Sequence, residues 1–323
     1  MSILVGDIGG TNVRLAMASP GKGALPALSD IWRAPAADFP EFSDALDTFL
    51  SEDLSRTNHG PSSAVFALAG PVSGDTIALT NNHWVIRRQA LREHFGFEHL
   101  HLMNDFAAMA RSVPALPGSA FHILQAGDPD AGHPIAVAGA GTGLGQAMLT
   151  YNKNGRWDVF PGEGGHQSYA PQTPLQCEIA LALQKRYGHV SAELICSGRG
   201  LPRIYGALAE IEDGQYMDAM DAKTITDSAQ AGDARAQQCC HIAAHALMGF
   251  IGDAVLAAGA WSGAVLAGGV SQHLRDYLGT PEALSQFYTK GAMTRRMKSV
   301  PLSLLIDNRA PLIGAAIFDP DLI

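Results

Sequence analysis

The chain has 323 residues and a mass of 34.0 kDa, which exceeds one average domain and predicts two. Apolar residues make up 47% and charged residues 16%, a balance that excludes a mostly disordered chain. The net charge of −9 argues against a nucleic-acid partner, and the scarcity of lysine argues against a polybasic membrane anchor.

Apolar runs typical of buried strands recur along the chain, at 3–5, 63–68, 100–103, 134–138, 264–267 and 302–306. Helical patterns lie between them, at 39–52, 87–94, 174–187, 200–212 and 235–258. This alternation predicts an α/β protein with a largely parallel, buried sheet. Because no flexible linker appears, we expect the domain boundary in the tight loop at 113–118, which carries Pro114 and Pro117.

Two features bear on localisation. The segment at 241–269 is almost uncharged, but Asp253 and repeated glycines interrupt it, so we expect a buried helix at about 236–258, a break at Gly259 and a buried strand over 263–267. The four cysteines include no C-x-x-C pair, and the first residues do not form a signal peptide. We therefore expect reduced thiols in a cytoplasmic protein without a membrane partner.

Two segments about 130 residues apart share one pattern: a strand, a glycine-rich turn with a threonine, and a second strand. The first turn covers Gly6, Asp7, Ile8, Gly9, Gly10 and Thr11, and the second covers residues 139–145 with Gly141, Thr142 and Gly143. Glycine turns bind phosphates because their N–H groups can point at one anion. Ordinary glycine hairpins are the alternative, although two threonine-bearing turns favour phosphate binding. Neither turn fits a P-loop or a dinucleotide fingerprint.

An acidic residue, Asp7, lies beside the first turn, where it would repel a phosphate. A Mg²⁺ ion between the two would resolve the conflict. A turn aspartate that caps backbone N–H groups is an equally good interpretation.

Asn104 and Asp105 follow a predicted strand and begin a predicted helix, a position where α/β proteins place ligands. An aspartate there can accept a proton from a hydroxyl group that the neighbouring asparagine holds. The alternative, a helix cap, is common for this residue pair.

Three further groups are candidates for ligand binding. Glu163 and His166 lie three residues apart on a glycine-rich loop, where a carboxylate and an imidazole suit sugar hydroxyls. Glu193 is another candidate, with a solvated helix-start glutamate as its alternative. Gly268 and Gly269 end a buried strand, and they indicate either a flat ring against the backbone or a tight turn.

In this order, and together with Thr80 and Asn81, these segments resemble the bacterial glucokinases of the hexokinase–actin superfamily. The resemblance covers the whole chain. It implies a two-domain, actin-like ATPase (ribonuclease H-like) α/β fold with a cleft between the domains. Residues 1–113 and 307–323 would form the small domain, and residues 114–306 the large one.

The resemblance also implies roles. Asp105 would be the catalytic base; Asn81, Asn104, Glu163, His166 and Glu193 would join it in holding glucose. The two glycine turns would hold the ATP phosphates, Gly268 and Gly269 would flank adenosine, and Asp7 would serve Mg²⁺.

The implied activity is transfer of the γ-phosphoryl group of ATP to the 6-hydroxyl of glucose, the first step of glycolysis. Another hexose or amino sugar as substrate, or a non-catalytic sugar sensor, are the alternatives. The cysteine-rich zinc motif of the related ROK kinases is missing after His166. We also expect a homodimer, as is common in the family.

Overall fold

The structure, a computed structural model, describes residues 2–21, 25–54, 60–70, 72–79, 82–217 and 220–317. The chain divides into two compact units, here called the first and second unit. The first unit comprises Met1–Pro117 and Asp307–Ile323, and the second comprises Gly118–Ile306. The first dividing point follows Pro117, inside the proline-bearing loop, rather than residue 113.

The first unit is built on a mixed sheet with the strand order β3-β2-β1-β5-β8, in which β4 also pairs with β2. Strand β1 is antiparallel to β2 and parallel to β5, which is parallel to β8. Strands β6 and β7 form a separate hairpin. The strands are β1 (Ile3–Ile8), β2 (Asn12–Ser19), β3 (Ala27–Leu28), β4 (Trp32–Pro35), β5 (Ser63–Leu68), β6 (Thr76–Ala78), β7 (Val85–Arg87) and β8 (His99–Asn104).

Four α-helices belong to the first unit among its described residues: α1 (Phe42–Leu54), α2 (Arg88–Phe95), α3 (Asp105–Ser112) and, from the end of the chain, α13 (Ala310–Ala316). Helix α13 packs against α3 at Gly314, where a Cβ atom would overlap the backbone of Ala108. The absence of a side chain thus lets the two helices approach closely. Short 3-10 turns lie at Ala36–Asp38 and Val113–Ala115.

The second unit repeats the same sheet pattern. Its strand order is β12-β11-β10-β13-β14-β9; β10 is antiparallel to β11 and parallel to β13, which is parallel to β14. The strands are β9 (Phe121–Gln125), β10 (Ile135–Ala140), β11 (Leu144–Tyr151), β12 (Trp157–Gly162), β13 (Gly263–Ala267) and β14 (Leu302–Leu305). The predicted repeat of strand, glycine turn and strand is therefore confirmed in β1–β2 and β10–β11.

The second unit contains several α-helices, and the longest of them, α8, packs against many of the others. The helices are α4 (Pro174–Tyr187), α5 (Ala192–Ile195), α6 (Gly200–Asp213), α7 (Ala222–Gln230), α8 (Ala234–Ala258), α9 (Gly269–His273), α10 (Arg275–Leu278), α11 (Pro281–Tyr288) and α12 (Thr294–Met297), with 3-10 turns at Gly118–Ala120, Gly164–His166 and Gly291–Met293. Helix α8 begins where Asp233 caps the Ala236 N–H at 2.7 Å and ends at Gly259, whose φ is 60°.

Helix α8 has the composition of a membrane span but is a core helix. Among the residues that the structure describes, it is the one helix with sufficient length and hydropathy, and 72% of its most apolar 18-residue window is buried. The predicted buried helix, the break at Gly259 and the strand that follows are all confirmed.

One fold expectation was wrong. Neither large sheet is largely parallel, because each glycine turn joins two antiparallel strands before the chain enters its parallel crossovers. The apolar runs of β1 and β10 look like those of parallel strands because these strands are central in their sheets and covered on both faces.

Candidate active site

The first glycine turn lies between β1 and β2. Its ends are joined where the Gly9 N–H donates to the Asn12 carbonyl at 3.0 Å, while Thr11 is exposed. Gly6 lies below the turn, where a Cβ atom would meet Phe66 at 2.7 Å, so the core needs a glycine there. The Ile8 side chain is fully buried. Gly6 and Ile8 therefore offer only backbone to a ligand, and Gly9, Gly10 and Thr11 form the accessible part of the turn.

Asp7 forms an ion pair with Arg14, which lies directly opposite on β2. The Arg14 Nε and Nη2 both donate to Asp7 Oδ2, the first at 2.7 Å. Arg14 Nη1 also donates to the Asn308 carbonyl at 2.6 Å, which ties the hairpin to the segment before α13. Arg14 is not among the residues predicted from the sequence. Its pairing with Asp7 could have been predicted, because a hairpin closed at 9–12 places residues 7 and 14 opposite each other.

The oxygen ligand that Asp7 offers fits a Mg²⁺ ion whose other ligands come mainly from substrate phosphates and water. Both Arg14 bonds go to Oδ2, so Oδ1 is the carboxylate oxygen left for a cation. No group of three or more His, Cys, Asp or Glu side chains suited to a metal occurs within the described ranges. Mg²⁺ often uses one or two carboxylates together with substrate phosphates and water, so a single carboxylate is sufficient. The observed side-chain partner of Asp7 is Arg14.

Asn104 and Asp105 lie at the carboxyl end of β8, at the same sheet edge as the first glycine turn. The register aligns Ile8 with Leu68 and Leu68 with Asn104. Asn104 caps α3, since its Oδ1 accepts from the Ala107 N–H at 3.0 Å, and its Nδ2 donates to the Gly70 carbonyl at 3.1 Å. The cap interpretation thus holds for Asn104, and its second amide hydrogen is the one available to a ligand.

The Asp105 carboxyl group is enclosed by protein, although the residue keeps some exposed surface. This burial, reinforced by the negative charge of Asp7, raises the pKa of Asp105 from 3.8 to about 7. The Phe106 N–H donates to Asp105 Oδ1 at 2.7 Å and opposes part of the rise in pKa. A carboxylate with a pKa near neutrality is suited to general base chemistry.

The second glycine turn lies between β10 and β11 and is held from both ends by one segment. Glu193 Oε2 accepts the Leu144 N–H at 2.9 Å, and the Gly141 carbonyl accepts the Gly198 N–H at 2.8 Å. Glu193 is therefore not a solvated helix-start residue. Thr142 is exposed, and a Cβ atom on Gly141 would meet nothing within 4 Å. The outer surface of the turn is thus open to a ligand.

Glu163 and His166 project from a loop that runs beside β11. Their side chains are 81% and 64% exposed, and His166 Nε2 lies 3.8 Å from Glu163 Oε2. Gly165 is buried against the Leu144 carbonyl, where a Cβ atom would not fit. This glycine allows the loop to lie next to the second glycine turn.

Gly268 and Gly269 follow β13, the neighbour of β10. Gly268 has a φ of 90°, and a Cβ atom there would overlap the Ala140 carbonyl, so this position requires glycine for steric reasons. At Gly269 a Cβ atom would meet nothing within 4 Å, which leaves open surface above the backbone. The tight-turn interpretation is thus observed at Gly268, and the role of the pair in binding adenosine stays a prediction.

The predicted site residues form two groups, one within each unit. The first unit holds Asp7, the first glycine turn, Asn104 and Asp105. The second holds the second glycine turn, the Glu163–His166 loop, Glu193 and the Gly268–Gly269 pair. Asn81 lies outside the described residues.

The glucokinase family model matches residues 4–321 of this chain. The chain belongs to the glucokinase family. It is 34% identical over 314 residues to the glucokinase of Saccharophagus degradans, across 97% of this chain and 96% of that protein.

Solved structures agree with this assignment. The structure of a glucokinase from an Antarctic psychrotroph superimposes with a TM-score of 0.86 at 33% identity, over 98% of each chain. A glucokinase of Balamuthia mandrillaris, in complex with glucose, has the same fold with a TM-score of 0.77 at 21% identity, over 98% of this chain and 92% of that one. This chain is an ATP-dependent hexose kinase with the actin-like, two-unit fold of the family.

The raised pKa of Asp105 predicts a pH-dependent loss of stability. The folded protein holds the Asp105 proton more tightly than the unfolded chain, so stability falls as the pH rises from about 4 to about 7. Asp105→Asn stays neutral and avoids this loss. We expect the variant to melt at a higher temperature than the wild type at pH 8, with a smaller difference at pH 5.

Thermal unfolding at both pH values measures this effect. Asp276→Asn, at a side chain that is 89% exposed, is the control and should leave the pH dependence of stability unchanged. An Asp105→Asn variant that is less stable than the wild type at pH 8 would contradict the assigned cause.

Proposed function

We propose that this glucokinase transfers the γ-phosphoryl group of Mg·ATP to the 6-hydroxyl of D-glucose, with Asp105 as the catalytic base. The observation that carries this proposal is the buried carboxyl of Asp105, with a pKa of about 7, at the sheet edge that also carries the first glycine turn. Such an edge is where α/β proteins bind ligands. The alternatives, another hexose substrate or a sugar sensor, have no observation of their own in favour.

The chemical step follows from these positions. The Asp105 carboxylate accepts the proton of the glucose 6-hydroxyl as that oxygen forms a bond to the γ-phosphorus atom. The bond between the γ-phosphorus and the bridging oxygen breaks, and ADP leaves with the electron pair. Asp105 then holds the proton until solvent removes it. Asn104, fixed by its cap and its bond to Gly70, orients the attacking hydroxyl.

Backbone N–H groups of the two glycine turns bind the phosphate oxygens, and Thr11 and Thr142 add hydroxyl donors. When bound, Mg²⁺ neutralises charge on the phosphoryl oxygens. Asp7 is the residue that would hold it, either directly or through water. Arg14 keeps the Asp7 carboxylate in one orientation, since two of its N–H groups bind the same oxygen. The surface beside Gly269 receives the adenosine.

In this proposal, glucose hydroxyls form hydrogen bonds with Glu163, His166 and Glu193 of the second unit. Asn104 and Asp105 of the first unit also bind the sugar. The exposure of Glu163 and His166 leaves both free to bind sugar hydroxyls. The match to the glucokinase family model and the likeness to the Saccharophagus degradans glucokinase support glucose as the sugar. We further propose that the protein acts in the cytoplasm as a homodimer.

The role of Asp105 is tested by Asp105→Asn, which keeps the shape and removes the proton acceptor. We expect glucose to bind as before while kcat falls by roughly 10²–10⁴-fold. Wild-type kcat/KM should fall about tenfold per pH unit below pH 7, because only the ionised carboxylate accepts the proton. Turnover of the variant within a few-fold of the wild type would remove Asp105 from this role.

The metal requirement is tested by removal of the cation. We expect turnover to stop in EDTA and to return with Mg²⁺, because the triphosphate charge is otherwise uncompensated next to Asp7. Calorimetry should show weaker ATP binding without Mg²⁺. Full activity in EDTA would overturn this part of the proposal.

The sugar site is tested at Glu163. Truncation in Glu163→Ala leaves a sugar hydroxyl without its acceptor, at about 1–3 kcal/mol, so glucose affinity should fall at least about tenfold. ATP affinity should change little, and His166→Ala should have a milder effect. Glu178→Ala, at an exposed position on α4, is the matched control. An unchanged glucose dissociation constant in Glu163→Ala would make this residue a solvated loop glutamate.

A further inference from the structure

One short segment of the second unit contacts both the segment that follows the Glu163–His166 loop and the second glycine turn. We define the bridging segment as residues 191–198, which contain α5. At its start, the segment contacts the two residues that directly follow the Glu163–His166 loop. The Ala192 N–H donates to the Gln167 carbonyl at 2.8 Å, and Ser168 and Ser191 form an antiparallel bridge. At its end it joins the second glycine turn, through the bond from the Gly198 N–H to the Gly141 carbonyl.

Glu193 is the side chain of this segment that contacts the turn. Its Oε2 accepts the Leu144 N–H at 2.9 Å. A Cβ atom on Gly143 would lie 2.5 Å from Oε2 and 3.3 Å from the carboxyl carbon. The Glu193 carboxylate therefore lies on the inner side of the turn, in space that Gly143 leaves free by lacking a side chain.

The two Glu193 oxygens have different surroundings. Oε2 accepts the Leu144 N–H, whereas Oε1 lies farther from the Cβ position of Gly143, at 3.9 Å. Because a carboxylate has two oxygens, one can accept the Leu144 N–H of the turn while the other accepts a hydrogen bond from a sugar hydroxyl. An exposed carboxylate such as Glu163 has no comparable contact with the turn.

We propose that Glu193 couples the two ligands of this enzyme: it positions the second glycine turn with one oxygen and binds glucose with the other. This rests on the proposed function, which assigns the turn to phosphate and Glu193 to sugar. Glucose bound to Glu193 fixes its carboxylate and thereby the Leu144 N–H. A phosphate on the turn likewise fixes Glu193 for glucose. By linkage, each ligand then strengthens the binding of the other by the same factor.

The decisive experiment substitutes a residue of the second glycine turn and measures the affinity for glucose in the absence of nucleotide. Gly143→Ala places a methyl group where Glu193 Oε2 lies; the flexible carboxylate must move away, whereas the backbone has room to stay. We expect glucose affinity to fall roughly tenfold, the scale for loss of a bond to a charged group. Gly279→Ala is the control, because Gly279 lies outside the proposed binding residues, has a φ of −77°, and its Cβ atom would meet no heavy atom closer than 3.8 Å; its nucleotide-free glucose affinity should equal that of the wild type.

The reciprocal measurement uses a non-hydrolysable ATP analogue with Mg²⁺ in the absence of glucose. Glu193→Ala should weaken binding of the analogue, because the turn loses its support. Glu163→Ala should leave it unchanged. Glucose should also tighten binding of the analogue in the wild type and Gly279→Ala, but no longer in Gly143→Ala.

The outcomes separate this inference from the proposed function. If neither Glu163→Ala nor Glu193→Ala weakens glucose binding, the sugar site itself is wrong. If both do, but Gly143→Ala binds glucose like Gly279→Ala, the sugar site stands and the coupling role of Glu193 is wrong. Should Gly143→Ala fail to fold, the comparison of Glu193→Ala with Glu163→Ala decides, since equal affinities for the analogue would overturn the coupling.

Discussion

The glycine turn that closes each antiparallel hairpin is the constraint on which the rest of this molecule depends. In the first unit it brings β2 back along β1, so that Asp7 faces Arg14. In the second it brings β11 back along β10, which places the Leu144 N–H beside Glu193. Because each hairpin then continues into parallel crossovers, the residues proposed to bind ligands lie at the same edge of the sheet. The proposed catalytic geometry therefore follows from the sheet topology.

At the edge of the first sheet, burial of the Asp105 carboxyl group near the charge of Asp7 lowers the stability of the folded protein when Asp105 is ionised. Asp105 lies enclosed near Asp7, and the two effects together keep its proton bound up to about pH 7. Arg14 compensates Asp7 through two bonds to a single oxygen and also binds the Asn308 carbonyl. A carboxylate in water would be a weak base with a pKa near 4, so the unfavourable burial of Asp105 suits it to the proposed role in proton transfer.

In the second unit, the residues proposed to bind glucose and those proposed to bind phosphate lie next to each other. The Glu163–His166 loop reaches the second glycine turn because buried glycines let its backbone lie against β11. The bridging segment then connects the loop and the turn through Glu193 and Gly198. Each of these contacts involves a backbone group, which is the basis for the proposed coupling between the two ligands.

The sequence by itself determined the elements and the family. The strand runs, the two threonine-bearing turns and the helix over 234–258 follow from local hydrophobic periodicity and glycine placement, which act over a few residues. Tertiary structure decided which partners those residues meet. The mixed sheets, the pairing of Arg14 with Asp7 and the contact of Glu193 with the second turn join distant positions, up to 184 residues apart for Phe121 and Leu305 (305 − 121). Register and burial set these contacts and the pKa of Asp105, and both depend on how distant parts of the chain pack together.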